Sequence, residues 1–170
     1  MKKEPSPVKL IISGGQSGAD LAGNEFAKYD VEIPTRVYTF ESFVTSNGAD
    51  QRVLEEFERI NIKVTRPDNY VSCLRERTIH NVKRADATII FLNCPIPELE
   101  LNSGSRLTRK MCELFKKPCA PADVRYPAIS SALILNLIQD YKPKILNIAG
   151  QRTLDRKVVR RILRDVWKSL

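Results

Sequence analysis

The segment Gly14-Gly15-Gln16-Ser17-Gly18-Ala19-Asp20 puts backbone freedom, amide donors and a carboxylate into one short stretch, a combination suited to holding a phosphorylated small molecule. Glycines permit positive φ and a close backbone approach, and the free N–H groups of a helix N-terminus attract anions. Glycines also serve tight βα turns that bind nothing, so a purely structural turn stands beside the ligand-binding one. The spacing is neither a Gly-x-Gly-x-x-Gly dinucleotide fingerprint nor a P-loop, since no Gly-Lys-Ser/Thr ends it. It therefore indicates a phosphate group and no particular cofactor.

Two further groups of residues carry similar chemistry. Asn102-Ser103-Gly104-Ser105 opens a later helix, as an anion contact or as an ordinary N-cap turn. Arg75-Glu76-Arg77-Thr78 lies near the start of another helix, where arginine opposes the helix dipole unless an anion compensates. Arg75 shares a stripe with Ile79 and Val82, which should face a sheet, so Arg75 is expected to project into the ligand crevice. Arg77 is less well aligned. Arg75 could instead pair with Glu76 or another acid, although a bidentate phosphate contact suits its guanidinium.

Metal chemistry finds little support. Cys73, Cys94, Cys112 and Cys119 are too dispersed for a Cys-x-x-Cys knuckle, and His80 is the single histidine. No protein-ligated metal is expected, the thiols read as buried and free, and His80 reads as a helix-surface residue.

These residues need a scaffold. The 170 residues, 42% hydrophobic and 28% charged, suffice for one well-buried domain over residues 8–170 behind a flexible tail, residues 1–7. No apolar run approaches a membrane span, and Met1-Lys2-Lys3-Glu4-Pro5-Ser6-Pro7 lacks a signal-peptide core, so a cytoplasmic protein without a membrane partner is expected. The net charge of +8 favours an anionic small molecule or nucleic acid. Much of the excess sits at the C-terminus, where Arg156, Lys157, Arg160, Arg161 and Arg164 lie opposite a stripe of Val159, Ile162, Leu163 and Val166. A solvated face of a packed helix is the simpler account, because no aromatics interleave the charges.

Six short β-type runs, at 8–13, about 31–38, about 62–66, 86–93, about 118–123 and 144–149, alternate with helical patterns at 19–29, 50–60, 72–84, 105–117, 128–140 and 153–169. That alternation predicts an α/β fold, a doubly wound, mostly parallel sheet with helices on both faces. In the usual strand order the first and fourth strands are neighbours, and ligands bind outside their carboxyl ends. Gly14–Gly18 and Asn102–Ser105 follow those two strands and are expected to face one crevice.

Gly14-Gly15-Gln16-Ser17-Gly18-Ala19-Asp20, Arg75-Glu76-Arg77-Thr78 with Asn81-Val82, Asp86-Ala87-Thr88, Leu107-Thr108, Lys117-Pro118 and Leu146-Asn147-Ile148-Ala149-Gly150 together resemble the molybdenum cofactor carrier family. That family lies within the Rossmann-like group that includes the lysine-decarboxylase-like phosphoribohydrolases. The resemblance implies a Rossmann-like sheet, homo-oligomerisation, and a pocket for molybdenum cofactor (molybdopterin) or a nucleotide. On matching positions it implies contacts from Gly14, Gly15, Gln16, Ser17, Gly18 and Asp20, from Arg75, Thr78 and Asn81, and from Gly104 and Ser105, to which the second loop's own residues add Ser103. Leu21 stands where the family has arginine, and Ser103-Gly104-Ser105 where it has Gly-Gly-Thr.

Three functions follow as expectations. The first is a carrier or binding protein without bond chemistry. The second is a phosphoribohydrolase-like enzyme on a nucleoside monophosphate, for which Asp20 or Glu76 would have to supply the carboxylate, because the hydrolases' Pro-Gly-Gly-x-Gly-Thr-x-x-Glu motif is absent. The third is a nucleic-acid-binding accessory protein, whose affinity would fall steeply with salt.

Overall fold

The computed structural model describes residues 6–45, 48–95 and 103–170. Asn102, one of the residues expected near the crevice, lies outside them. Among the described residues six strands form one sheet: β1 (Leu10–Ser13), β2 (Thr35–Thr39), β3 (Glu58–Asn61), β4 (Ala87–Leu92), β5 (Cys119–Asp123) and β6 (Ile145–Gly150). The helices between them are α1 (Ala19–Glu25), α2 (Gly48–Leu54), α3 (Tyr70–Arg84), α4 (Gly104–Leu114), α5 (Pro127–Tyr141) and α6 (Arg156–Ser169). α1 runs on into a π-helical turn, Phe26–Asp30.

The sheet order is β3-β2-β1-β6-β4-β5, and all pairings are parallel. This is the doubly wound architecture expected, with one correction. β1 and β4 are not neighbours, because the last strand inserts between them and pairs with both. The chain winds outward from β1 to β3, then from β4 to β5, and β6 fills the gap. Winding still reverses there, so the crevice belongs to the carboxyl ends of three strands.

Local chemistry accounts for the elements. β4 is buried at every residue, as a central strand covered on both faces must be. β5 carries Pro121 yet pairs on one side only, so the missing donor is tolerated at the sheet edge. Asn69, Ser103 and Asp155 cap α3, α4 and α6 by accepting N–H bonds from Ser72, Arg106 and Lys157. α5 begins at Pro127 and ends at Lys142 in the left-handed conformation.

The third strand and the helix before it depart from the expected positions. α2 stops at Leu54, and β3 precedes the apolar run 62–66, pairing Ile60 with Tyr38 and Asn61 with Thr39. Glu58-Arg59-Ile60-Asn61 makes a half-exposed edge strand whose polar residues hide it from a search for apolar runs. Ile62 N–H still donates to the Thr39 carbonyl, after which the ladder ends.

A large core joins α1, α5 and α6 to one side of the sheet through Ile11, Ala22, Phe26, Ile89, Ile148, Ile162 and Leu163. Smaller clusters seat α2, α3 and α4, with Leu54 and Cys73 meeting Leu21 and Val37, and Val82 meeting Met111 and Cys112. The apolar stripe of α6 is buried as expected, but its basic face is not simply solvated. Arg156 reaches Glu25 and Asp50, while Arg160 makes a two-pronged contact with Asp30 at 2.9 and 3.0 Å. Arg164 also lies within ion-pair distance of Asp30. His80 is half-buried and lies against Tyr38, ring centroids 4.6 Å apart, so it is not the surface residue expected.

Candidate functional site

A cleft of about 850 Å³ opens at the carboxyl ends of β1, β6 and β4. Gly14, Gln16 and Asp20 form the wall after β1, and Arg75, Arg77, Thr78 and Asn81 line it from α3. Ser103, Gly104, Ser105 and Thr108 close the side at the start of α4, and β6 contributes Asn147, Ala149 and Gly150. The cleft therefore gathers nine of the twelve residues named from the sequence. The other three do not line it. Gly15 is backed by Val37 and Leu54, and Ser17 and Gly18 face a second cleft of about 610 Å³ across the β6–α6 connection.

The glycine turn is held closed by its own side chains. The Gly15 N–H donates to Ser13 Oγ at 3.1 Å, Ser13 Oγ to Asn24 Oδ1 at 2.6 Å, and Asn24 Nδ2 to Thr35 Oγ1 at 2.6 Å. Thr35 Oγ1 in turn donates to the Ile11 carbonyl at 3.0 Å, so one relay ties the turn to α1, β1 and β2. The Gln16 N–H donates to Asp20 Oδ2 at 3.3 Å, and the Gly14 N–H is also turned toward that carboxylate. Ala19 N–H is taken by the Gln151 carbonyl and Leu21 N–H by that of Gln16. Gly18, at φ 73°, has no room for a side chain, since a Cβ would stand 2.5 Å from the Gln151 carbonyl oxygen. An open amide cradle was expected here. Asp20 occupies it instead.

Burial of that carboxyl raises its pKa from 3.8 to about 6, against the lowering pull of Arg77 and the two amides. Arg77 faces it from α3. Only 7% exposed, Arg77 donates from Nη1 to the Gly14 carbonyl at 2.7 Å and stacks on the Phe43 ring at 5.2 Å. Its Nε has no hydrogen-bond partner, and Arg77 makes no ion pair, among the described residues. Burial pulls its pKa down and the Asp20 charge opposes this.

Arg77 thus takes the buried place expected for a neighbour. The buried stripe of α3 is Cys73, Arg77, Asn81 and Val82, whereas Arg75 is exposed at the cleft's edge. Arginine spaced four residues from Cys73 and four from Asn81 was the available signal. Glu76 lies outside the cleft. It accepts from Thr65 Oγ1 and N–H at 2.6 and 2.9 Å, and the Thr65 hydroxyl is the main reason its pKa falls. Its bonds to Thr65 anchor the loop before α3, away from the cleft. Asp20 is the carboxylate lining the cleft among the described residues.

The first turn of α4 is more open than the glycine turn. Ser103 Oγ caps the Arg106 N–H at 3.2 Å and the Ser103 carbonyl takes the Leu107 N–H. The Gly104 and Ser105 N–H groups have no acceptor among the described residues. A Cβ at Gly104 would meet no described atom within 4 Å. Cys94 stands on the cleft wall with the Gln151 amide 3.7 Å from its sulfur. All four cysteines are free, but only Cys73 and Cys112 are buried. No cluster of three or more His, Cys, Asp or Glu suited to a metal occurs among the described residues.

Residues 11–170 match the model of the circularly permutated YpsA SLOG family. The chain belongs to that family. SLOG proteins are a nucleotide-binding Rossmannoid group, which agrees with the sheet and the position of the cleft. The crystal structure of a protein from Syntrophus aciditrophicus named "putative molybdenum carrier protein" is similar, with 28% identity and a TM-score of 0.78 over 96% of this chain and 97% of that one. Comparison with curated proteins gives no match. Among the described residues of this SLOG protein, no helix is long and apolar enough to cross a membrane.

Proposed function

We propose that this SLOG protein binds a phosphorylated pterin or nucleotide in the main cleft, with the phosphate between the first turn of α4 and Arg77. One observation carries this: a buried guanidinium with no carboxylate in ion-pair range among the described residues. A buried charge that Asp20 offsets without an ion pair is costly, and a phosphate would give it a closer counter-charge and matching acceptor geometry. The amides of Gly104 and Ser105, without an acceptor among the described residues, add the favourable end of the α4 dipole. Arg75 at the cleft's edge would draw the anion inward.

Molybdenum cofactor would fit through its phosphate, held by Arg77, Gly104 and Ser105, and would carry its metal on its own dithiolene. Native mass spectrometry of protein purified without added ligand tests the proposal, since a retained mass identifies pterin or nucleotide and also reads the homo-oligomer that the family resemblance implies. A bare subunit that takes up neither ligand on addition removes the carrier role.

A second function, hydrolysis of an N-glycosidic bond in a nucleoside monophosphate, would rest on Asp20, whose raised pKa suits proton transfer near neutrality. Against it, the carboxylate is already engaged by its own turn. Release of free base that disappears in Asp20→Asn would establish the enzyme. The nucleic-acid alternative is less well supported, because Arg156, Arg160 and Arg164 are committed to Glu25, Asp30 and Asp50.

A further inference from the structure

One helix carries more apolar surface than its own fold covers. α5 buries Ser130, Ile134, Leu137 and Ile138, the last three in the large core. Ile129 and Leu133 stay exposed on its other side, with Tyr126 and Tyr141 exposed at its two ends. These are four of the eight large apolar side chains exposed among the described residues. Residues 127–139 also form the longest stretch of the sequence without Asp, Glu, Lys or Arg. A helix that is apolar all round belongs in an interior, and a contiguous exposed apolar face marks an interaction site.

We infer that the outer face of α5 docks a second copy of this chain, as an antiparallel helix pair about a two-fold axis between Ala132 and Leu133. A chain of net charge +8 repels itself, so two copies meet most easily where charge is absent. The charges that flank this face are self-complementary. With the axis between residues 132 and 133, Arg125 stands opposite the partner's Asp140 and Asp123 opposite the partner's Lys142, and the symmetry repeats both pairings. Asp123 and Arg125 hold each other at 2.6 Å, whereas Asp140 and Lys142 are exposed and make no ion pair among the described residues.

The neighbouring sheet edge directs the contact to the helix. β5 ends the sheet, and Pro121 within it has no N–H to give a further strand, so the copies do not join through one continuous sheet. Size agrees as well. A stable dimer takes roughly 600–1,000 Å² from each copy, apolar at its centre and polar at its rim. The 15 residues of α5 run about 22 Å. That length places Ile129, Ala132 and Leu133 at the centre, with the two tyrosines and the charged pairs around them. No residue of α5 lines the main cleft, so the inference is independent of the ligand proposed above.

Sedimentation equilibrium of the full chain, native and substituted, tests this. The native chain should run as a dimer, or an even multiple of one, at about 10 μM. Ile129→Glu and Leu133→Glu change exposed side chains, and each should weaken association about thirtyfold or more with the circular dichroism spectrum retained. Asp140→Arg should weaken it several-fold, and adding Arg125→Glu should restore it by rebuilding the pair with its signs exchanged. A native chain that stays monomeric overturns the inference, as does an assembly that neither glutamate disturbs. Failure of the double variant to recover overturns the antiparallel register.

Discussion

Arg77 on α3 donates to the carbonyl of Gly14 at 2.7 Å, joining two segments 63 residues apart in the chain at the floor of the cleft. The contact explains why position 14 is glycine. A Cβ there would stand 2.6 Å from the guanidinium carbon and Nε, so any side chain must push Arg77 away. Gly14→Ala and Arg77→Met should therefore fail in the same way, each losing about 1.5–3 kcal/mol for a buried charged hydrogen bond and each losing phosphate binding. Their double variant should be little worse than either alone, because both remove one interaction. Urea denaturation of the four proteins measures this; fully additive losses would separate the two residues.

Asp20 gives stability a pH dependence of unusual sign for a carboxylate. Its pKa is raised on folding, from 3.8 to about 6, so the folded chain holds the proton more tightly. The stabilisation is complete below pH 3.8 and is lost as pH rises through 6, by roughly 3 kcal/mol for a shift of this size. Asp20→Asn cannot ionise and should gain stability over the native chain as pH is raised from 4 to 7.5. Denaturation midpoints of the two proteins across that range give the difference curve, and a flat curve would show that Asp20 does not titrate there.

The alternation of β4, α4, β5 and α5 was legible because their apolar runs and caps are local signals. β3 was not, since an edge strand read as Glu58-Arg59-Ile60-Asn61 has no apolar face to announce it. Strand order escaped for a different reason: nothing in the residues of β6 says that it returns to lie between β1 and β4. At the site, the glycine turn and the two helix starts mark Gly14, Gln16, Asp20, Arg75, Ser103, Gly104 and Ser105, whereas Thr78 and Asn81 come from the family resemblance. Arg75 lines the cleft at its exposed edge, while Arg77 is added to it from the buried line that Cys73 and Asn81 set, a helical phase that anchoring the stripe on Ile79 does not show. That Asp20 fills its own turn depends on a side-chain rotamer, which no spacing rule encodes.

The arginines of α6 supply a separate test of what the net charge does. Arg160 holds Asp30 by two bonds and lies 3.8 Å from Glu25, all partly shielded from solvent. Arg160→Gln should cost about 1 kcal/mol, the scale of a partly exposed but two-pronged pair. The loss should shrink in 1 M salt, where screening weakens the native pair. Small-ligand affinity should stay unchanged, since Arg160 lies away from the cleft. A binding defect for short DNA or RNA in this variant would instead assign the helix a nucleic-acid role.

Gly104 separates the fold from the binding site most cleanly. It is the first residue of α4, and a side chain there meets no described atom within 4 Å, so Gly104→Ala should leave stability within about 0.5 kcal/mol of native. Gly104→Asp puts a carboxylate into the first turn, where it complements the helix dipole and should be neutral or slightly stabilising. The same charge would sit beside the Gly104 and Ser105 N–H groups proposed to hold phosphate. Affinity for a nucleoside monophosphate should then drop by about tenfold or more while thermal stability holds or rises. Parallel thermal-shift and calorimetric measurements on Gly104→Ala and Gly104→Asp read the two effects apart. Unchanged affinity in the aspartate variant would move the phosphate away from α4 and leave Arg77 without the partner assigned to it.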